Sequence, residues 1–235
     1  MKKIQLKQVL RNKRFVLFTI ILPIGWYIFF DQLQKGVSPS ILLGIAVFIG
    51  VIGNSLATFS KRIASDIGFY SFESHFTSYS VKNYLWDQSI VQLILNSLIF
   101  LAVLVVAVLG FHFPVTTSLL VQFFLLSLMG IYFSVIGFVL GVRVDAKTID
   151  TIGFPVIILA AMTIIPFDTL GASGGFMDLV GKLQRVFPGY YYTKLIQDLT
   201  EKQTIDATQI ALFVAVFGLN LLFFYLLVPK GKMGN

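Results

Sequence analysis

The chain of 235 residues has no cysteine, two histidines and only 12% charged residues. Without cysteine there is no disulfide, no thiol nucleophile and no thiolate metal site, and nothing follows about compartment. A soluble chain carries about twice this density of charge. The histidines, His75 and His112, and the scattered carboxylates show no metal-ligand spacing and no H-E-x-x-H. A phosphate-cradling G-x-x-x-x-G-K-[ST] loop is absent too, so P-loop ATP hydrolysis is not available to this chain.

What it has is apolar length. Hydrophobic residues make up 57% and mean hydropathy is +0.86. They gather in six runs: Phe15–Phe30, Ile41–Phe59, Ile90–Phe111, Leu119–Val142, Ile152–Phe167 and Ile210–Val228. About 20 apolar residues in a helix cross a bilayer core of ~30 Å. Four runs reach or nearly reach that length; the first and fifth are shorter and hold Pro23 and Pro155. None alternates polar and apolar as a barrel strand would, and lipid leaves helices as the other spanning structure. The expectation is an all-α polytopic membrane protein with six transmembrane helices. The connections are too short for a separate domain of ~50 residues, so 1–235 reads as one transmembrane domain.

With the N-terminus in the cytoplasm, thirteen Lys/Arg fall on inside segments and five outside. That asymmetry predicts both termini inside, in the cell membrane. It also accounts for the net charge of +7 without nucleic acid as a partner. No small-residue cleavage site follows Phe30, so the first run reads as an uncleaved signal anchor. Residues 1–14 place Lys3, Lys7, Arg11 and Arg14 on one helical stripe and Leu6, Val9 and Leu10 on another. Such a helix lies in the headgroup layer with its basic side toward anionic lipid, or serves as a topology determinant.

The second run opens with Ser38-Pro39, a helix-start pair. Along it Ala46, Gly50, Gly53 and Ala57 recur at helical spacing, and the fourth run carries Ser127, Gly130, Ser134, Gly137 and Gly141 on one face. Small residues let helices approach closely in lipid, so both stripes predict tight packing. In the inside segment 60–88, Phe69, Phe72, Phe76 and Tyr79 share a helix face, either packed on the chain itself or docked into a partner. The outside segment 168–208 starts glycine-rich. It then sets Phe176, Leu179, Val180, Leu183 and Phe187 in an amphipathic pattern before Pro188, and three tyrosines follow. Together with the short fifth run this predicts an outer re-entrant element.

No Asp, Glu, Lys, Arg or His lies in the middle of a run; the interior polar residues are Asn54, Gln92, Asn96, Gln122 and Asn220. That argues against an ion- or proton-coupled transporter. Gly171-Ala172-Ser173-Gly174-Gly175 matches G-x-S-x-G, but a nucleophile needs a strained turn and a histidine. An intramembrane hydrolase using Ser173 and His112, or a stand-alone facilitator, are the alternatives to a pump driven from outside the chain.

The order of parts resembles the membrane (permease) subunit of type-2 ATP-binding-cassette exporters. The stretches that carry the likeness are LKQVLRNKRF at 6–15, KRIASDIGFYSFESHFTSYSVKNYL at 61–85, FPVIILAAMTIIPF at 154–167 and LVGKLQRVFPGYYYTKLIQ at 179–197. The resemblance implies a cytoplasmic coupling helix over Ile63–Ser74, with Asp66, Gly68, Phe69, Phe72 and Glu73 facing an ATPase subunit. Many members carry an acidic-basic-acidic cluster and glycine there; of these Asp66 and Gly68 stand in Ala64-Ser65-Asp66-Ile67-Gly68. It further implies no catalytic residue and no cofactor or metal in this chain, ATP and Mg in the partner, and a second permease chain making a homo- or heterodimer. The cargo would be hydrophobic or amphiphilic, such as an antimicrobial or amphipathic peptide, a lipopeptide or a drug, moved out of the cell.

Overall fold

The computed structural model describes residues 6–7, 10–11, 16–33, 37–73, 76, 81–165, 167, 174–201 and 206–227. These residues form helices and short connections, with no strand among them. A π-helical turn, Leu17–Ile21, leads into α1 (Leu22–Leu33). Then come α2 (Pro39–Ile52), a π segment (Gly53–Phe59) and α3 (Ser60–Glu73), which run on without a break. They are followed by α4 (Val81–Phe111), α5 (Ser118–Arg143), α6 (Ala146–Met162), α7 (Gly175–Gln184), α8 (Pro188–Glu201) and α9 (Ala207–Leu226).

Four helices are long and apolar enough to cross a membrane: Pro39–Phe69, Trp86–Phe111, Ser118–Arg143 and Ala207–Leu226. This is the character of a helical membrane protein. Thr19–Leu33 is a shorter apolar helix. The fifth apolar run is helical over Ala146–Met162, starting and stopping earlier than Ile152–Phe167. The start is set by Asp145, whose carboxylate accepts from the Thr148 backbone N–H at 2.9 Å and from the Thr148 hydroxyl at 2.6 Å. At the other end Ile165 precedes a proline, which disfavours helical backbone. α2 begins at Pro39 as the sequence predicts, but no side-chain cap bond comes from Ser38. Its carbonyl instead accepts from Ile41 and Leu42.

α5 is the centre of the bundle, packed against α2, the π segment, α3, α4, α6, α8 and α9. It can be central because it presents small residues. A Cβ on Gly130 would stand 2.8 Å from Asn96 Nδ2, and one on Gly141 would stand 2.5 Å from the Ser60 carbonyl oxygen. At Gly137 the added carbon would fall inside the Ser55 carbonyl. Backbone meets backbone here, the close approach that drives helix association where the solvent is itself apolar. Gly50 instead makes room for side chains of α1 and α4, with Pro23 Cγ at 2.5 Å and Ile99 Cγ2 at 2.8 Å from a would-be Cβ. Gly53 faces open space.

These contacts fix relative directions. Ser55 against Gly137 and Ser60 against Gly141 make α2–α3 parallel to α5. Asn96 near Asn54 and Ile99 near Gly50 make α4 antiparallel to both. Tyr27 meets Phe111, with ring centroids 5.6 Å apart, so α1 runs with α4. Lys61 against Asp150 and Ala57 near Gly153 set α6 antiparallel to α2–α3. Arg143 Nε donates to the Leu227 carbonyl at 2.7 Å, which sets α9 parallel to α5. One end of the bundle therefore gathers Lys61, Arg62, Arg143 and Lys147 and is called the basic end below.

Candidate functional site

The continuous helix Pro39–Glu73 joins three distinct environments. Its first part is buried on all sides, with Leu43, Ala46, Val47 and Ile52 at 1% exposure or less. Phe48 meets Phe133 and Tyr192 edge-on, at centroid distances of 6.4 and 4.6 Å.

Its middle part is the π segment, and here the interior polar residues converge. Asn54 Nδ2 donates to Asn96 Oδ1 at 3.0 Å. Gln92 Nε2 donates to Ser55 Oγ at 3.1 Å and to Asn96 Oδ1 at 3.3 Å. The Ser55 and Ser134 hydroxyls lie 3.5 Å apart, and Ser134 also donates to the Gly130 carbonyl at 2.7 Å. Gln92 and Ser55 are fully buried, and Asn54 and Asn96 nearly so. Asn54 Oδ1, Gln92 Oε1 and Asn96 Nδ2 have no protein partner. The cluster ties three helices together through hydrogen bonds left incomplete, at the place where α geometry is interrupted. π turns are frequent at functional positions, and a partly satisfied buried network is a place where packing can change.

The third part projects. α5 ends at Arg143, opposite the Ser60–Ile63 turn, and α3 continues for about ten residues, roughly 15 Å. Ile63 anchors the exit, fully buried beside Phe59 and Val142. Ser60 donates to the Leu56 carbonyl, and the Arg62 guanidinium lies over the Phe59 ring at 5.6 Å. Lys61 Nζ bonds Asp150 Oδ1 at 2.7 Å, joining α3 to the start of α6. Beyond this collar Asp66 is half-buried and Gly68 exposed. Phe69, Phe72 and Phe76 are 62%, 67% and 75% exposed, and the Phe72 and Phe76 rings stand 5.0 Å apart. Among the described residues, then, three rings of the aromatic stripe are largely exposed. Glu73 ends α3; its side chain, His75 and Tyr79 lie outside the described residues.

A second feature surrounds the end of α6. A helix that stops inside an apolar bundle leaves carbonyls without partners. Gln184 Nε2 donates to the Met162 and Ile165 carbonyls at 2.6 and 2.8 Å, and the Thr193 hydroxyl donates to Ile164 at 3.2 Å. Gly189 allows the approach, since a Cβ there would stand 2.6 Å from Ile164 Cγ1. The consecutive helices α7 and α8 deliver these groups. Asn220 Nδ2 on α9 donates to the Val186 carbonyl, between α7 and α8, at 2.9 Å, while its oxygen accepts from the Tyr132 hydroxyl at 3.3 Å. A cavity of about 10 Å³ lined by Ile41, Ile45, Phe48, Ile164, Tyr192, Thr193 and Ile196 lies between α2 and α8, room for one water.

At the N-terminus Lys7 and Arg11 are exposed, while Leu6 packs on the pair Val91 and Leu95. Lys3 and Arg14 lie outside the described residues, as does Ser173. His112 sits at the end of α4 with a positive φ of 54°. No group of three or more His, Cys, Asp or Glu among the described residues could hold a metal. At the basic end, hydrogen bonds from the Thr148 side chain and backbone hold the Asp145 carboxyl below its usual range. Gln184, Thr193, Tyr132 and the Lys61–Asp150 pair are the residues that periodicity did not single out. No sequence signal pairs them, because each bonds across 19 to 89 positions.

Comparison with protein-family models, with curated proteins and with solved structures finds no match to this chain.

Proposed function

We propose that the chain is the membrane subunit of an ATP-driven exporter of the type-2 ATP-binding-cassette kind. The observation that supports this most is the helix Pro39–Glu73: it starts in the buried core, passes the polar π segment, and ends with Phe69, Phe72 and, just beyond it, Phe76 exposed. Exposed aromatics on a rigid helix are what a partner protein takes hold of. A push there reaches Ile63, Ser60 and the Asn54–Gln92–Asn96 cluster without passing through a flexible link.

In this reading six helices cross the cell membrane in alternating directions: α1 with its π turn, α2–α3, α4, α5, α6 and α9. The basic end and both termini face the cytoplasm, following the charge asymmetry. The Leu17–Leu33 helix and α6 each measure about 25 Å, somewhat short of the hydrocarbon core. For α6 the re-entrant element α7–α8 makes up the difference and closes its carbonyl end through Gln184 and Thr193. The N-terminal segment lies in the cytoplasmic headgroup layer. Asp66, Gly68, Phe69, Phe72 and Glu73 form the coupling surface for a cytoplasmic ATPase subunit, which holds ATP and Mg. The cargo path then runs between two copies of such a subunit. The spans then shift as packed bodies between two arrangements, and the apolar faces favour a hydrophobic or amphiphilic cargo.

The test is Asp66→Ala combined with Phe72→Ala in cells that express the chain with its cytoplasmic partners. The expected result is a folded, monodisperse protein that no longer co-purifies with a P-loop ATPase and no longer supports ATP-dependent export. Retention of both by the double variant removes the coupling assignment.

A further inference from the structure

The link between α7 and α8 lies level with the middle of α9 and carries charge. Asn220, which bonds the Val186 carbonyl, stands thirteen residues after the start of α9. That places the link about 20 Å along α9 from Ala207. The Tyr132 hydroxyl on the same Asn220 gives an independent level, fourteen residues after the start of α5. At this depth Lys182 and Arg185 are exposed, and no ion pair joins either to a carboxylate among the described residues. Arg185 lies over the Tyr190 ring at 5.9 Å, and Lys194 approaches the same ring at 5.9 Å. Asp178, the acidic residue on α7, is a turn from Lys182 and exposed as well. Beside these cations Leu179, Leu183 and Val186 are 54%, 58% and 61% exposed.

Cations at such depth do not face hydrocarbon; they face a ligand or a wet path. Among the described side chains of α7 only Val180 and Gln184 are buried, and the cationic strip and the apolar strip are presented side by side. Two positive side chains next to an uncovered aliphatic row match one class of molecule. We propose that Lys182 and Arg185, with Leu179, Leu183 and Val186, bind an amphiphile with an anionic head group and an apolar tail. The head sits against Lys182 and Arg185, and the tail lies along the aliphatic row. This rests on the exporter reading for its meaning as a cargo site, and it narrows the cargo to anionic amphiphiles. Binding itself requires no ATPase.

The experiment uses the full chain in phosphatidylcholine nanodiscs and two photoreactive probes with the same diazirine-bearing alkyl tail. One has a phosphate head and the other a phosphocholine head. Cross-linked peptides are mapped by mass spectrometry. The phosphate probe is expected to label residues 179–190 of the parent, and the phosphocholine probe at least about tenfold less, the scale of a charge-assisted hydrogen bond. Lys182→Gln with Arg185→Gln should lower phosphate-probe labelling by a similar factor, and Lys182→Arg with Arg185→Lys should restore it. Equal labelling of the parent by both heads, labelling confined to the N-terminal cations, or indifference to the charge substitutions overturns the site. The head-group comparison needs no variant, so a misfolded double substitution leaves the test decisive. Loss of the site with ATPase co-purification intact sinks this inference alone; the converse sinks the exporter reading alone.

Discussion

Replacing Gly137 by alanine should be costly, and the structure says why. The new Cβ would fall inside the Ser55 carbonyl, with the carbonyl carbon at 2.9 Å and Phe59 Cδ1 at 3.4 Å. The obstructing atoms are backbone, held by a π segment that Gln92 and Ser134 grip from two sides, so they cannot swing away as a side-chain tip would. α5 must move off α2–α3, loosening Gly141 against Ser60 at the same time. Overpacking of this kind costs about 1–3 kcal/mol. Alanine's better helix propensity returns at most about 1 kcal/mol. The net is a loss of up to about 3 kcal/mol. Gly218→Ala is the matched control. It lies in α9 with nothing within 4 Å of a Cβ, so only the propensity gain of up to ~1 kcal/mol applies. For a chain of this size each kcal/mol moves Tm by about 2–4 °C. Thermal unfolding in mild detergent, followed by size-exclusion fluorescence, should show Gly137→Ala lowered by up to about 10 °C and Gly218→Ala unchanged or slightly raised. Equal behaviour of the two variants would refute the close backbone approach.

Three further outcomes follow. Gln184→Leu should lower Tm because it leaves the Met162 and Ile165 carbonyls unpaired, at about 1–3 kcal/mol for a buried group; Gln184→Glu, which keeps shape but donates no amide bond, should not rescue it. Lys61→Met should change stability by no more than about 1 kcal/mol, since both partners are partly exposed, whereas the exchange Lys61→Asp with Asp150→Lys should recover any loss, and a larger loss without recovery would show the contact is not an ion pair. The Asp145 cap stabilises the start of α6 above the carboxyl's unfolded pKa and is lost as pH falls through its lowered folded value; the Thr148 amide shift should therefore titrate below the range of a free aspartate, and a midpoint at or above that range contradicts the cap.

Much of the packing logic was legible beforehand. Helical spacing identified the Gly130, Gly137 and Gly141 face of α5, because periodicity reports which side of a helix lacks bulk. The interior amides Asn54, Gln92 and Asn96 also stood out against apolar surroundings. Their meeting did not, since a face has a direction but no partner, and the π segment that brings Asn54 and Ser55 toward Gln92 is held by tertiary contacts. Hydropathy placed the fifth run at Ile152–Phe167 because a sliding window does not see a cap. Asp145 and Thr148 start the helix at Ala146, and Lys147 and Asp150 dilute the signal there. The amphipathic pattern from Phe176 to Phe187 was visible, but not the depth of its turn, which depends on Asn220. Gly53 belonged to the small-residue pattern of α2 and faces open space, since spacing marks a face without saying what stands opposite it. For the aromatic stripe, spacing left open whether the rings were packed or exposed; α3 runs on to Glu73, and Phe69 and Phe72 on it and Phe76 beyond it are exposed.

The central claim is a membrane-embedded bundle whose helix Pro39–Glu73 delivers its aromatic end to the cytoplasm. The natural absence of cysteine allows a direct measurement: single variants Phe72→Cys and Val115→Cys, treated in intact cells with a membrane-impermeant maleimide. Val115 is 71% exposed at the opposite end of the bundle and should be modified in intact cells, while Phe72→Cys should react only after lysis. Modification of Phe72→Cys in intact cells, or protection of Val115→Cys there, would contradict the account.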